Sequence, residues 1–579
     1  MHDLVIRNAT VVDGTGRERF EGDVAIDNGR VAEVGQVAGK GEEEIDASGL
    51  LAMPGWVDVH THYDGQVTWD PLLTPSFWHG VTTVVMGNCG VGFAPAAPGQ
   101  REWLVGLMEG VEDIPGTALN EGIRWDWESF PEYLDALERC PHAIDVAAHI
   151  AHGPVRAYVM GERGASNEPA SAEDIARMAE LVGEAMRAGA LGFSSSRTLL
   201  HVAIDGEPVP GTFAAEDELM AFARVLGEHG SGIFEVAPAG VSGEDLAAPE
   251  KEIAWMQRVS AATGCPITFL LGQNTLEPDA WRRMLQLCEQ ADAEGARVYP
   301  QVFGRPTSLL FSFEGVSPFA RYPSFAPLMD MTPEERMPFL RDPSFRAKVL
   351  SESDPNDDVF AMMMKDPWQQ AFELGDPPDY EPDASRSLAA RAARDGVDPR
   401  ELAWDIMLGD DGRAVVLWAL LGYADGDLEP VREMLEHPLS AVGGSDGGAH
   451  CRMICDSSVP TFLLTHWTRD RSRGERLSLE SVVKKQSRDT ARLYGLDDRG
   501  EITPGQKADI NLVDYDALSV GVPRMVYDLP GGAPRFMQKA VGYKATLVAG
   551  QVVQRDGEDS GARPGRVVRG AQPAYQAGQ

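Results

Sequence analysis

Cysteine is scarce, with six in 579 residues. So low a count in so long a chain excludes a disulfide framework as the organising device. Basic residues are outnumbered, 51 against 89 acidic ones, leaving a formal charge of −38. An anionic surface of that size repels nucleic acid and anionic membranes, so neither is expected as a partner. No apolar run approaches the ~20 residues needed to span a bilayer. The opening Met1-His2-Asp3-Leu4 has no basic segment leading into an apolar one, so no secretory signal is read there. A soluble cytoplasmic protein is the expectation. No internal repeat is found. What is present is apolar material for a large core, 43% of the residues. The length suits several domains, or one α/β barrel with additions.

Both ends read as β-structure. Leu4–Ile6 and Thr10–Val12 are short strand candidates, and Asn28-Gly29 turns Val24–Ile26 into Val31–Val34. Near the other end, Asp509–Val513 and Ala545–Val553 repeat the pattern. Residues 1–54 and 497–560 are therefore expected to build one small β-sandwich domain.

Between them, short apolar strands alternate with helices. The strands are expected at Val57–His62, Thr82–Met86, Ile144–Ala148, Leu191–Ser194, Ile233–Val236, Ile267–Leu271, Val298–Val302 and Ala441–Gly444. Ser171 and Asp174 form a capping-box pattern, and apolar residues then recur at helical spacing up to Gly189. Eight strand–helix units predict an α/β fold, a (β/α)8 TIM barrel over residues 55–496. About 140 residues separate the last two strands, too many for a bare loop. Residues 303–412 are read as an insertion with its own helices, either a lid over the barrel mouth or an outer surface element. The tail, 561–579, is expected to be loosely ordered or docked on a neighbour, and a homo-oligomer is among the expectations.

Barrel enzymes carry their chemistry at the C-terminal ends of the strands. Strand one supplies His60 and His62, two residues apart and so on one face of an extended chain. Two imidazoles in that relation can grip one metal ion. Strand two ends in Gly87-Asn88-Cys89-Gly90, where a thiolate would be a strong zinc ligand. Strand eight ends in Gly444-Ser445-Asp446-Gly447, where a carboxylate can face both metal and water. A small buried thiol and a turn aspartate are the plain alternatives. Cys140, Cys265, Cys288, Cys451 and Cys455 read as packing residues.

With these residues in place, the chain resembles the amidohydrolase superfamily, and within it the N-acyl-D-amino-acid deacylase (D-aminoacylase) branch. Pro54-Gly55-Trp56-Val57-Asp58-Val59-His60-Thr61-His62 carries the superfamily likeness, with Arg488 to Leu496 and Ile502 to Ile510. Gly87-Asn88-Cys89-Gly90 points to the deacylase branch, and Ala188 to Ser194 and Gly444 to Gly447 resemble further blocks. The resemblance implies a metal-bearing barrel beside a β-domain. It implies His60, His62, Cys89 and Asp446 as zinc ligands, with Asp446 also the general base. That branch has histidines at the ends of strands five and six. Here those stretches read Phe234-Glu235-Val236 and Phe269-Leu270-Leu271. One zinc ion is therefore favoured over two, with Glu235 the candidate for a second site.

The activity implied is hydrolysis of the amide bond of an N-acyl-D-amino acid or related small N-acyl compound. A cyclic-amide hydrolase and a non-catalytic barrel scaffold are the alternatives. Among substrate-binding candidates, His152 could donate to the oxyanion and His450 could orient Asp446 or line the pocket. Arg452, then Arg305, could hold a substrate carboxylate, and Tyr299, read as the end of strand seven, could donate to the same group.

Overall fold

The computed structural model describes residues 1–575, apart from the side chains at positions 359 and 360. Eight parallel strands form the central sheet: β1 (Trp56–Asp58), β2 (Val81–Met86), β3 (Asp145–Ala151), β4 (Gly192–Ser196), β5 (Ile233–Ala237), β6 (Ile267–Leu271), β7 (Val298–Phe303) and β8 (Ala441–Gly443). They pair in chain order, each with the next. Almost every position is buried, as expected of parallel strands covered on both faces. The barrel is nearly closed. β8 and β1 share no ladder, but just past their ends Thr61 bridges Gly447, and the His62 amide donates to the Gly447 carbonyl at 2.8 Å.

Five of the eight expected strands lie within one residue of their observed bounds at both ends, while β3 and β4 run three and two residues further than expected. β1 differs: it stops at Asp58, so His60 and His62 follow it rather than end it. The chain leaves the ladder there to meet strand eight's loop. The helix Ala172–Ala188 carries the expected capping box, Ser171 with Asp174, and ends at Gly189. The barrel floor is filled from below by Ala491, Tyr494, Leu496 and Val568, which pack against Val57, Val85, Ala147 and Ile233.

The two termini meet in a separate nine-stranded sheet. Its strand His2–Val11 pairs antiparallel with Phe20–Asp27 and parallel with both Gly41–Asp46 and Leu51–Pro54, so the sheet forks. Leu51–Pro54 then pairs with Ile510–Val513, joining the two ends of the chain. One core serves both branches, with Leu4, Ile6, Val24, Ile45, Ile510 and Leu547 among its members.

Between β7 and β8 the chain builds a further unit. Thr307–Phe311 and Ala371–Glu373 both pair antiparallel with Val416–Leu421. A distinct apolar core gathers around Trp404, with Phe313, Phe319 and Phe325. The C-terminal residues run under the barrel of their own chain. The Val568 amide donates to the Val146 carbonyl at 2.7 Å, and Arg569 pairs with Asp135 and Glu138. No helix among the described residues is long and apolar enough to cross a membrane.

Candidate metal centre

The loops leaving β1, β2 and β8 converge over the barrel's C-terminal end. Thr61 fixes the first loop: its amide and hydroxyl both donate to the Val85 carbonyl. His60 and His62 then project to one side, with ring centroids 5.4 Å apart. Cys89 adopts φ +55° in the turn between Gly87 and Gly90, and Asp446 adopts φ +48° in its own glycine-flanked turn. These tight turns bring short side chains back over the barrel axis.

Cys89 Sγ lies 3.3 Å from His60 Nε2. Asp446 Oδ1 lies 3.5 Å from His60 Nε2 and 3.8 Å from His62 Nε2. Ligands on a tetrahedral zinc, bonded at ~2.0 Å through nitrogen or oxygen and ~2.3 Å through sulfur, stand roughly 3.3–3.6 Å apart. The two contacts of His60 fall in that range, and the His62–Asp446 contact is slightly longer. His60, His62 and Cys89 form the one group of three or more potential ligands found among the described residues. Both ring nitrogens of His62 are buried without a hydrogen-bond partner, and so is Glu235 Oε1. Two buried imidazole nitrogens without a partner, beside a thiol and a carboxylate, fit a cation.

Electrostatics agree. Burial lowers His60 to about 4, against a hydrogen bond with Gln301 that favours the charged form. Burial and the neighbouring imidazoles push His62 well below its ordinary value. Both rings are therefore neutral near pH 7, the state that binds metal. Burial lifts Asp446 and Glu235 to about 8, with the nearby acids adding to the rise. Glu112 and Cys89 are pushed well above their ordinary values by burial and by the same acids. No cation contributes to any of these four shifts. A divalent ion would relieve that repulsion and replace the protons.

The other sequence-derived candidates divide. Glu235 sits beside the site: its Oε2 accepts from the Cys89 amide at 2.9 Å, and its Oε1 is 3.9 Å from His60 Nδ1. His450 lies at the rim, with Nε2 3.5 Å from Glu112 Oε2. Arg452 is half-exposed and held by Asp113, to which its Nε donates at 3.0 Å. It borders a cavity of about 720 Å³ lined mostly by the insertion, with apolar residues such as Phe311, Met329 and Met364 and charged ones such as Asp354, Asp357 and Lys365. Arg305 is fully buried, bonded to Asp456 and stacked 4.0 Å from the Tyr380 ring centroid.

Two expectations need correction. His152 does not face the site. Its Nδ1 is 2.9 Å from Ser195 Oγ and its Nε2 is 2.8 Å from Glu218, among Phe193 and Phe222. Both nitrogens are already used, so no donor remains for an oxyanion. Tyr299 is the second residue of β7, not the end of it. A parallel barrel puts strand starts at the floor, opposite the chemistry. In addition, Glu112 and Gln301 were not found by sequence reasoning. Glu112 ends the helix Arg101–Glu112, with Oε1 3.3 Å from His62 Nδ1. Gln301 points inward from β7 to His60. Neither lies in a motif, and only strand register could have hinted at Gln301.

Comparison with known proteins bears on this geometry. A profile described as the amidohydrolase family matches residues 43–554. The N-acyl-D-glutamate deacylase of Alcaligenes xylosoxydans xylosoxydans is 28% identical over 576 residues, covering 98% of this chain and 96% of that protein. A crystal structure of D-aminoacylase superposes with a TM-score of 0.64 at 22% identity, covering 98% of this chain and all of that one. The N-acyl-D-glutamate deacylase of Bordetella bronchiseptica, solved with zinc and a phosphonate mimic of the tetrahedral intermediate, also gives 0.64. It is 24% identical, covering 98% of this chain and 99% of that one. At these identities the two superpositions bear on the fold.

Proposed function

Because this chain belongs to the amidohydrolase family, we propose that it is a metal-dependent hydrolase that cleaves the amide bond of an N-acyl-D-amino acid or a related N-acyl compound. The observation that carries the proposal is the grouping of His60, His62 and Cys89, with Asp446 Oδ1 3.5 and 3.8 Å from the two imidazoles. The full-length likeness to an N-acyl-D-glutamate deacylase supports the substrate class. Two imidazoles, a thiolate and a carboxylate form a donor set suited to zinc. When bound there, zinc supplies a Lewis acid that polarises a carbonyl and lowers the pKa of water toward ~7.

Asp446 takes a proton from the attacking water and returns it to the departing amine nitrogen, the two halves of general base and general acid work. Its carboxylate is buried and retains only slight exposure, so the proton is exchanged with substrate rather than with bulk solvent. The cavity bordered by the insertion and Arg452 would receive the substrate's outer portion. Its lining is mixed: Phe311, Met329 and Met364 offer apolar surface to an acyl group, and Arg452 at its border offers charge to a carboxylate. The Asp113 carboxylate keeps Arg452 oriented by accepting from both its backbone amide and its guanidinium.

The test uses purified protein, stripped by chelation and then reloaded. N-acyl-D-amino acids, their L counterparts and cyclic amides are assayed in one panel. Hydrolysis of the linear D compounds, lost on stripping and returned by zinc, is expected. Activity that survives complete metal removal, or cleavage confined to cyclic amides, would overturn the proposal.

A further inference from the structure

One sequence block, Arg488 to Leu496, has no part in the proposed chemistry, yet it sends a side chain into the barrel. Tyr494 follows the short helix Thr490–Leu493 and is buried in the barrel floor. Its hydroxyl accepts from Gln301 Nε2 at 2.9 Å. With the amide so oriented, Gln301 Oε1 faces His60 Nδ1 at 3.1 Å. An amide oxygen there can only accept, so His60 carries its proton on Nδ1. Its Nε2 lone pair then points to the place where Cys89 Sγ and Asp446 Oδ1 converge. The reversed amide would offer N–H to Nδ1 and leave a proton on Nε2, which cannot ligate a metal.

The fold makes room for this arrangement. Gly443, on the neighbouring strand β8, has no side chain, and a Cβ there would come within 2.4 Å of Gln301 Oε1. The Tyr494 ring is braced by His149, with centroids 5.9 Å apart. Both His60 and Gln301 are fully buried, so no solvent competes for the bond.

We propose that Gln301, held by Tyr494, is a positioning residue that fixes the His60 tautomer and presents Nε2 to the metal. The relay rests on the metal centre proposed above, but it concerns zinc affinity rather than substrate. Groups that orient ligating histidines from behind typically change metal affinity about 10–100-fold when removed.

The experiment measures zinc affinity of the full-length protein by competition with a chromogenic chelator. Gln301→Leu should weaken zinc binding about 10–100-fold. Gln301→Glu, which keeps an acceptor against Nδ1, should restore it. Tyr494→Phe should weaken it in the same direction by less. The melting midpoint of each stripped variant separates general loss of packing from loss of the tautomer, because rescue by glutamate has no counterpart in a packing role. Wild-type affinity in Gln301→Leu, or equal weakness in Gln301→Leu and Gln301→Glu, would overturn the relay. Should Gln301→Leu not fold, wild-type affinity in Tyr494→Phe would do so. Failure of the unmodified protein to bind zinc would instead overturn the metal centre itself.

Discussion

Asp446 has two demands on one carboxylate. Its Oδ1 stands between two imidazoles, and in the proposed reaction the same carboxylate carries the proton. Changing it to asparagine keeps the size and one acceptor oxygen but removes the basicity. Turnover of Asp446→Asn should fall by roughly 10²–10⁴-fold, the range for loss of a positioned general base. Zinc content should stay close to wild type, because His60, His62 and Cys89 remain. Steady-state rates together with elemental analysis of the same preparation check both parts. Near-wild-type turnover would remove Asp446 from the mechanism. At this scale much was legible: His-x-His, the Asn-Cys-Gly turn and the Gly-Ser-Asp-Gly turn each mark a loop past a strand end whose side chain the fold brings to one place. Glu112 and Gln301 were not, because a lone Glu or Gln in a helix or strand has no local signature. What singles them out is the partner that the fold brings to them.

Among the elements, the helix Ala172–Ala188 shows local rules and tertiary contacts meeting at one residue. The capping box at Ser171 and the left-handed terminus at Gly189 follow from sequence. The tail then crosses that terminus. A Cβ at Gly189 would lie 2.4 Å from the Arg569 Cβ, and φ is +113°. Gly189→Ala should therefore cost more than about 1 kcal/mol, beyond the usual penalty for alanine at positive φ. It should also loosen the tail. Thermal unfolding and trypsin cleavage at Arg563, Arg566 and Arg569 are the measurements, and a lower midpoint with faster cleavage is expected. Rate constants should be unchanged, since this end of the helix lies at the barrel floor. The same logic explains Tyr299. Apolar periodicity located strand seven to within one residue, and Tyr299 is the second residue of the expected and the observed strand alike, so it belongs to the floor end and not to the end that carries the chemistry.

Across the whole molecule, the insertion is tied to the barrel by buried charge. Arg471 is fully buried, with Nε and Nη2 donating to the two oxygens of Glu381 at 3.2 and 3.1 Å. His466 Nε2 lies 3.0 Å from the same carboxylate. Burial alone would raise Glu381, but His466, Arg471 and the Leu428 amide outweigh it and hold its pKa at about 2, below the ordinary 4.5. A carboxylate depressed in the folded state stabilises it fully above the unfolded value, and that contribution is lost as pH falls from about 4.5 toward 2. Denaturant unfolding across that range should show a steep loss in the wild type. Glu381→Gln should be less stable at pH 7 by about 3 kcal/mol or more, since Arg471 is left buried without its main partner. Its stability should then fall less on acidification. Equal slopes for the two proteins would show that Glu381 does not titrate as described.

The sequence by itself determined the strand–helix alternation and the joining of both ends in one β-domain, and it pointed to the four candidate ligands. Those features are written in local pattern: apolar period, turn residues and short motifs at strand ends. Only the tertiary structure decided which polar groups stand behind those ligands, which histidine is already occupied and which arginine borders the cavity. Such facts depend on residues hundreds of positions apart in the chain, as with Gln301 between His60 and Tyr494, and they exist only once the barrel has closed around them.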